Sequence, residues 1–397
     1  FSRSDDGQVV VPGRPLESLL FQKITAHDTD DRMPPEVAKK ELSADQIATI
    51  KRWIEQGAEW EGHWSFVTPK RPDLPKVHRR TWPRNSIDFF TLARMEANGL
   101  EPSPEADRRT LIRRVCLDLT GLPPSPEQVE WFVNDTNPNA YETLVDSLLS
   151  SERYGERMTL AWMDAARYGD SSVFHDDGVR YMWPWRDWGI RAYNDNKRFD
   201  EFTIEQLAGD QLENASLDHK VASGFNRNHG TTDEGGVIAE EYRAEDNVDR
   251  VKTTANVWLG LTMECGQCHE HKYDPIPHAE FYQMFAFFNQ ADEPRIEAPT
   301  AGESKKRAKH DEKVKVLDTR VKALEEKDPE RKKLAAELAK LKKARPRATT
   351  ALVMSQRKSP RVTRRFVQGD FTRPSEVVQP GTPAVLHAFP KTKKPSR

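Results

Sequence analysis

The sequence is short of three features that often define a class of protein. Its 397 residues include only three cysteines, and Cys116 lies far from Cys265 and Cys268, which excludes a disulfide scaffold. No run approaches the roughly 20 apolar residues that a transmembrane helix needs. The 61 lysines and arginines nearly balance the 63 aspartates and glutamates, so the overall charge does not predict nucleic acid as a partner.

What the sequence does contain predicts a mainly α-helical fold in several parts. The length favours two or three folded units, and ten tryptophans among only 36% hydrophobic residues favour modest cores built on aromatic side chains. Residues 1–64 are typical of the C-terminal part of a small helical domain, in which Ser43 caps a helix with Ile47, Ile50 and Ile54 at helical spacing. Residues 65–85 carry four prolines and are predicted to form a linker.

Three further segments follow the linker. Residues 86–292 contain a series of helical patterns and are predicted to be a larger multi-helix domain. Residues 304–345 carry apolar positions at helical spacing on both sides of Asp328-Pro329, which predicts a charged helical hairpin or coiled coil; a long solvated helix or a disordered spacer is the alternative. Residues 349–397 alternate apolar residues with Gly and Pro and are predicted to begin a short β-rich segment.

The most specific motif is Cys265-Gly266-Gln267-Cys268-His269, a C-x-x-C-H sequence. Covalent attachment of haem c requires two thiols that form thioethers and an adjacent imidazole that binds the iron. The motif therefore predicts haem thioethers at Cys265 and Cys268, with His269 as the proximal iron ligand. Two alternatives stay open: a zinc site that uses these residues or His271, although no second ligand pair lies nearby, and a thiol pair, although no βαβ pattern surrounds it.

The sixth ligand of such a haem is not determined by the sequence. The conceivable residues are His271, His175, His229, His278, Met263 and Met284. We favour His175 or His229 because both occur in polar loops that are able to fold over a haem edge.

A second haem signal lies near the start, in Arg32-Met33-Pro34-Pro35. In a small cytochrome c the axial methionine occupies a loop shortly before the closing helix, and a following proline stiffens that loop. Met33 has this position, which predicts an axial ligand of a haem whose attachment motif is missing between Phe1 and Met33. The alternative is an ordinary buried methionine.

A loop rich in Asp, His and Trp spans residues 169–188 and is a candidate site wall. Asp164, shortly before this loop, and His175 and Asp176 within it are weak catalytic candidates. Further carboxylates that acid/base chemistry or a divalent cation would use are Asp170, Asp177, Asp233, Glu234, Glu240, Glu241, Glu245, Asp246 and Asp249. The aromatic residues Tyr181, Trp183, Trp185 and Trp188 suggest a stacking platform for sugar rings. Solvated helix faces and tryptophans buried in a core are the alternative.

Several strings resemble known families. The stretch from Ser18 through Met33 to Trp60 resembles the end of a planctomycete-type cytochrome c domain, and residues 86–292 resemble the domain of unknown function that accompanies it in large exported proteins. The strings that carry the second resemblance begin at Pro102, Asp118, Tyr154, Phe202 and Cys265, and residues 381–386 resemble a junction to a further domain. The resemblance implies that Met33 is a haem ligand, that haem is attached at Cys265 and Cys268, and that the chain is truncated at both ends.

Three functions are consistent with these patterns. The first is an exported c-type haem protein, periplasmic or at the cell surface, that transfers electrons to a redox partner or an attached catalytic domain. The second is a haem-containing or metal-dependent enzyme acting on a polymer such as a polysaccharide, and the third is a structural zinc protein. Whether the protein is an enzyme is left open by the sequence.

Overall fold

The computed structural model describes residues 3–4, 7–60, 63–174, 177–232, 234–326 and 328–389. Contacts divide the chain into two compact units, Phe1–Glu101 and Pro102–Arg397. Both consist mainly of helices, as the sequence predicts, with short antiparallel strands in addition. Within the described ranges, no helix combines the length and the apolar character that crossing a membrane requires.

The first unit contains a small core around two helices. Its elements are the strands β1 (Arg3–Ser4) and β2 (Gly7–Gln8) and the helices α1 (Leu19–Thr25), α2 (Ala44–Glu55) and α3 (Ser86–Ala97). Helix α2 begins at the predicted cap, where Ser43 and Gln46 exchange side-chain and backbone hydrogen bonds. Its Ile54 is fully buried against Phe21 and Ile24 of α1. The predicted capped helix is therefore confirmed.

The second unit begins with a three-helix cluster. The helices are α4 (Arg108–Thr120), α5 (Pro126–Asn134) and α6 (Ala140–Leu149). Cys116 is buried in their core together with Ile112 and Phe132, and burial raises the pKa of its thiol. The isolated cysteine thus packs as an apolar residue.

A large aromatic core forms around the next helices. They are α7 (Glu152–Ala165), α8 (Trp183–Asn194), α9 (Phe199–Ala208), α10 (Leu217–Ala222), α11 (Ala239–Thr254) and α12 (His278–Phe288). Trp185 and Trp188 are 2% and 3% exposed and pack with Phe202 and Phe225. Two of the four aromatic residues of the expected stacking platform are therefore core residues. The prediction that all four form an exposed platform is wrong. An amphipathic pattern does not distinguish a buried tryptophan from an exposed one.

The charged segment forms the predicted antiparallel hairpin. Helices α13 (Ala301–Ala323) and α14 (Pro329–Lys343) pack along a narrow seam in which Leu317, Leu334 and Leu338 are buried. Their observed bounds lie close to the predicted residues 304–345. The alternatives of a single long helix and of a disordered spacer are wrong, because the apolar seam has a partner.

Short strands precede and follow this hairpin in the chain. They are β3 (Ala291–Asp292), β4 (Arg295–Glu297), β5 (Thr350–Leu352), β6 (Ser355–Gln356), β7 (Thr363–Val367) and β8 (Asp370–Val378). Strand β4 pairs with β5, β3 pairs with β6, and β7 pairs with β8, all antiparallel. The hairpin is thus inserted between paired strands of the second unit. The boundaries of the predicted domains stay predictions.

Candidate functional site

The C-x-x-C-H motif forms a single exposed turn between α11 and α12. Residues Glu264–Gln267 are in a 3-10 helix, and the backbone N–H groups of Cys268 and His269 both donate to the carbonyl of Cys265, at 3.3 and 3.4 Å. In a 3-10 helix positions i and i+3 are eclipsed, and the bond from the His269 N–H closes an α-type turn, so the three side chains follow one another within about one turn. The side chains of Cys265, Cys268 and His269 are exposed, and both cysteines are free thiols.

The turn is anchored on α12 by its two central residues. Gly266 is buried, and a Cβ there would lie 3.2 Å from Phe281 Cβ. The carbonyl of Gln267 accepts hydrogen bonds from Tyr282 Oη at 2.9 Å and from His278 Nε2 at 3.1 Å. Burial lowers the pKa of His278, so the neutral ring donates this bond. These contacts hold the backbone and leave the reactive side chains outside.

The imidazole of His269 is oriented by its neighbour. Its Nδ1 lies 2.7 Å from the carbonyl of Glu270, and a carbonyl only accepts, so Nδ1 carries the hydrogen. The lone pair of the neutral ring is then on Nε2, the atom that a metal ion would use. Two thiols and one preset imidazole on one turn are the donor set that haem c requires, and these residues fit that group.

The expected distal histidines differ in their placement. His229 is 2% exposed, and both of its ring nitrogens are engaged, so axial ligation would require that it leave its partners. His175 and Asp176 lie outside the described residues. Asp164 is exposed near the end of α7. His271 Nδ1 accepts the backbone N–H of Asp274 at 2.7 Å, which stabilises the loop after the motif.

The described residues do not arrange a zinc site at the cysteine pair. Among them, one group of at least three His, Cys, Asp or Glu side chains brings its ligand atoms together, within 4.8 Å, and it consists of His229, Asp246 and Glu293. Neither Cys265 nor Cys268 belongs to it. A zinc ion at the motif would have to recruit its remaining ligands by rearrangement.

The group around His229 is an ion-pair network. Arg250 Nη2 lies 2.7 Å from His229 Nε2 and 2.6 Å from Glu293 Oε1, and Arg227 Nε lies 3.2 Å from Glu293 Oε2. A guanidinium only donates, so His229 Nε2 accepts and its Nδ1 carries the hydrogen, directed at the carbonyl of Gly230 and the carboxylate of Asp246. Arg250 and Arg227 therefore occupy the place that a cation would need.

Charge and burial act against each other in this network. Burial by itself would raise the pKa of Glu293, but Arg250 and Arg227 outweigh it and lower that pKa to about 2. Burial lowers the pKa of Arg227 to about 10. Glu293 and Arg227 are nevertheless both charged near neutral pH. The network is a desolvated set of paired charges. Removing one member leaves another charge buried without its partner, which lowers the free energy of unfolding.

The loop predicted as a site wall is held by a buried arginine. Arg180 donates to the carbonyls of Gly169, Asn228 and His229, and Asp170 Oδ1 accepts the backbone N–H of Met182 at 2.9 Å. Of the other acidic candidates, Asp249 pairs with Arg167 and Glu240 pairs with Arg243. These three carboxylates are therefore engaged in separate contacts.

Met33 lies at an open cavity of the first unit. Its side chain is 52% exposed, and it lines a cavity of about 340 Å³ together with Ile24, Leu42 and Ile47. The alternative of an ordinary buried methionine is wrong for this reason. The charged side chains of Arg32, Lys40 and Glu41 also line this cavity, so its lining is mixed. The role of Met33 as an axial ligand stays a prediction.

Comparison with family models identifies the two regions. The model described as a protein of unknown function (DUF1549), PSCyt2, matches residues 86–293. The chain belongs to this family. A planctomycete cytochrome C model, PSCyt1, matches residues 1–36, so the N-terminal segment is a c-type-cytochrome-like region. No curated protein and no solved structure matches the chain.

Both matches confirm the resemblance found in the sequence. In this DUF1549 protein the sequence reasoning missed Arg227, Arg250 and Glu293, which surround His229. Arg250 lies on the charged helix α11 and Arg227 in the short 3-10 helix Ser223–Arg227, and neither position carries a local signal of burial. Glu293 approaches both arginines only through the tertiary fold.

Proposed function

We propose that this chain is the haem-bearing, electron-transferring part of an exported protein. Cys265 and Cys268 would hold haem c through their sulfurs, and Nε2 of His269 would bind its iron. The preset tautomer of His269, fixed by the carbonyl of Glu270, is the observation that carries the proposal. The match to a planctomycete cytochrome C at residues 1–36 supports the same chemistry in the whole protein.

When it is bound, haem c supplies one-electron transfer between ferric and ferrous iron. The chain's own contribution is to hold and orient the group. The contacts of Gln267 with Tyr282 and His278 fix the backbone of the turn, and the exposure of the turn gives a redox partner or an attached catalytic domain access to it. An exported location follows in this proposal, because haem c is attached outside the cytoplasm.

Expression with a cytochrome c maturation system should give one covalently bound haem per chain. Intact mass and haem staining of a denaturing gel measure it, and Cys265→Ala with Cys268→Ala should abolish the stain. The matched control is Cys116→Ala, which removes the buried third thiol and should keep the haem. Stoichiometric zinc on an unmodified chain would contradict the proposal.

We further propose that Met33 is the axial ligand of a second haem, in a longer form of the protein that supplies a C-x-x-C-H motif upstream of Phe1. The exposed thioether, at a cavity that Ile24, Leu42 and Ile47 line in part, supports this role. In such a form we expect two haems per chain and an Fe–S charge-transfer band at the red end of the visible spectrum.

Met33→Ala should remove that band and leave the haem count at two. Met95→Ala, on α3, is the matched control and should leave the spectrum unchanged. An unchanged spectrum in Met33→Ala, or a haem count of one, would show that Met33 has another role.

A further inference from the structure

The positive charge of the helical hairpin is concentrated at its base, which we define as residues 301–315 and 337–347; the tip is residues 316–336. The base contains eleven lysines and arginines but only four aspartates and glutamates. The tip contains six lysines and arginines and five aspartates and glutamates. The two basal segments are neighbours, since Arg345 pairs with Asp311 at 3.1 Å and His310 Nε2 bonds to the carbonyl of Leu341 at 2.9 Å. The hairpin base is therefore a basic surface on a chain of net charge −2.

The lysines of this surface are directed outward. The seam between the helices takes up Leu317, Leu334 and Leu338, and the exposed basic residues include Lys305, Lys306, Lys309, Lys340 and Lys343. Exposed like charges repel each other unless an anion lies between them. Because the rest of the chain has a net negative charge, an anionic ligand is attracted to this surface in preference to others.

An open cleft adjoins the hairpin base. It has a volume of about 230 Å³ and is lined by Trp183, Leu217, Pro299, Thr300, Asp187 and Asp218. Thr300 caps α13, so Lys305 lies about one helical turn beyond the cleft. A half-buried indole, apolar side chains and carboxylates that accept hydrogen bonds from hydroxyl groups are features that suit a sugar ring.

We propose that the cleft and the hairpin base together bind an anionic polysaccharide. A sugar ring packs in the cleft near Trp183, and the carboxylate or sulfate groups of the following residues contact the lysines at the base of α13 and α14. The two carboxylates of the cleft are paired with arginines, Asp187 with Arg186 at 2.8 Å and Asp218 with Arg191 at 3.0 Å, so they do not exclude an anionic polymer. Nucleic acid, the other class of polyanion, is an outcome that the test distinguishes. This binding does not depend on the haem, and it adds an interaction with a polymer to the proposed electron transfer.

The test uses the full chain with three polymers, polygalacturonate, dextran sulfate and neutral dextran, in affinity electrophoresis and surface plasmon resonance. We expect binding to at least one anionic polymer, weakened by salt, and none to dextran. Binding to polygalacturonate alone would identify carboxylates as the ligand groups, and binding to dextran sulfate alone would identify sulfates. Duplex DNA is measured in the same way as a further polyanion. The proposal fails if neither polygalacturonate nor dextran sulfate binds at low salt, or if the DNA binds as tightly as they do.

Matched charge reversals locate the surface. Lys305→Glu with Lys309→Glu at the hairpin base should weaken binding by about tenfold or more, and Lys332→Glu with Lys333→Glu at the tip should change it by less than about twofold. Both pairs are exposed and alter the net charge equally. Equal effects of the two pairs would overturn the proposal.

The cleft is tested separately from the charge. Trp183→Leu should weaken binding severalfold without altering its dependence on salt, with the thermal midpoint as a check of folding. Since Trp183 is half-buried, Leu217→Ser provides a second variant at a side chain that is 41% exposed. If neither variant weakens binding, the cleft is not part of the site and the proposal is wrong. Cys265→Ala with Cys268→Ala should bind the polymers normally, so failure of the haem proposal is distinguishable.

Discussion

Replacing Arg250 by methionine should lower the free energy of unfolding by about 3–5 kcal/mol, because it removes one member of a buried ion-pair network. The Arg250 side chain is 2% exposed and donates to the carbonyl of Asn226, the amide of Asn247, His229 and Glu293. Methionine fills part of the volume but supplies no donor. Urea denaturation at pH 7 measures the change.

The control for this variant is Arg153→Met. Arg153 pairs with Glu156 on the surface of α7, and both side chains are about half exposed. We expect a loss below about 0.5 kcal/mol, as is usual for exposed pairs. If Arg250→Met costs as little as this control, the network contributes little to stability.

The free energy of unfolding should also depend on pH, through the carboxylate of Glu293. The pKa of Glu293 is lowered to about 2 in the folded protein, from a usual value of 4.5. A lowered native pKa stabilises the fold above the unfolded value, and this contribution is lost as the pH falls from about 5 towards 2. This pKa shift contributes about 3 kcal/mol to the free energy of unfolding at pH 7. About 2 kcal/mol of that contribution should be lost by pH 3.

Comparison with Glu293→Gln isolates this contribution from other carboxylates. The variant cannot form the charged pairs with Arg250 and Arg227, so it should be less stable at pH 7. The difference in the free energy of unfolding between the unchanged protein and this variant should decrease by about 2 kcal/mol from pH 7 to pH 3, as measured by urea unfolding. Glu156→Gln is the matched surface control. If the difference in the free energy of unfolding between the unchanged protein and Glu293→Gln does not vary with pH, the carboxylate of Glu293 is not stabilised by its partners.

The network matters for the proposed haem site because of where it lies in the chain. Arg250 belongs to α11 and Glu293 follows α12, and the C-x-x-C-H turn connects these two helices. The ion pair therefore holds together the helices on either side of the turn. Loss of Arg250 is expected to loosen the support on which Cys265, Cys268 and His269 are presented.

The sequence by itself determined the features that depend on neighbouring residues. The cap at Ser43 was predictable because capping is decided within one turn. The placement of Cys265, Cys268 and His269 within about one turn follows from their spacing. The hairpin was predictable because its apolar seam repeats at helical spacing on both sides of Asp328-Pro329.

Only the tertiary structure decided which polar and aromatic residues are buried. Trp185 and Trp188 belong to a core that residues from several helices complete. Arg250 and Glu293 meet across 43 positions of the chain, and nothing in the local pattern of α11 distinguishes a buried arginine from a solvated one. A side chain's neighbours along the chain determine its helix, whereas its desolvation and its ionic partners are determined by segments far away in sequence.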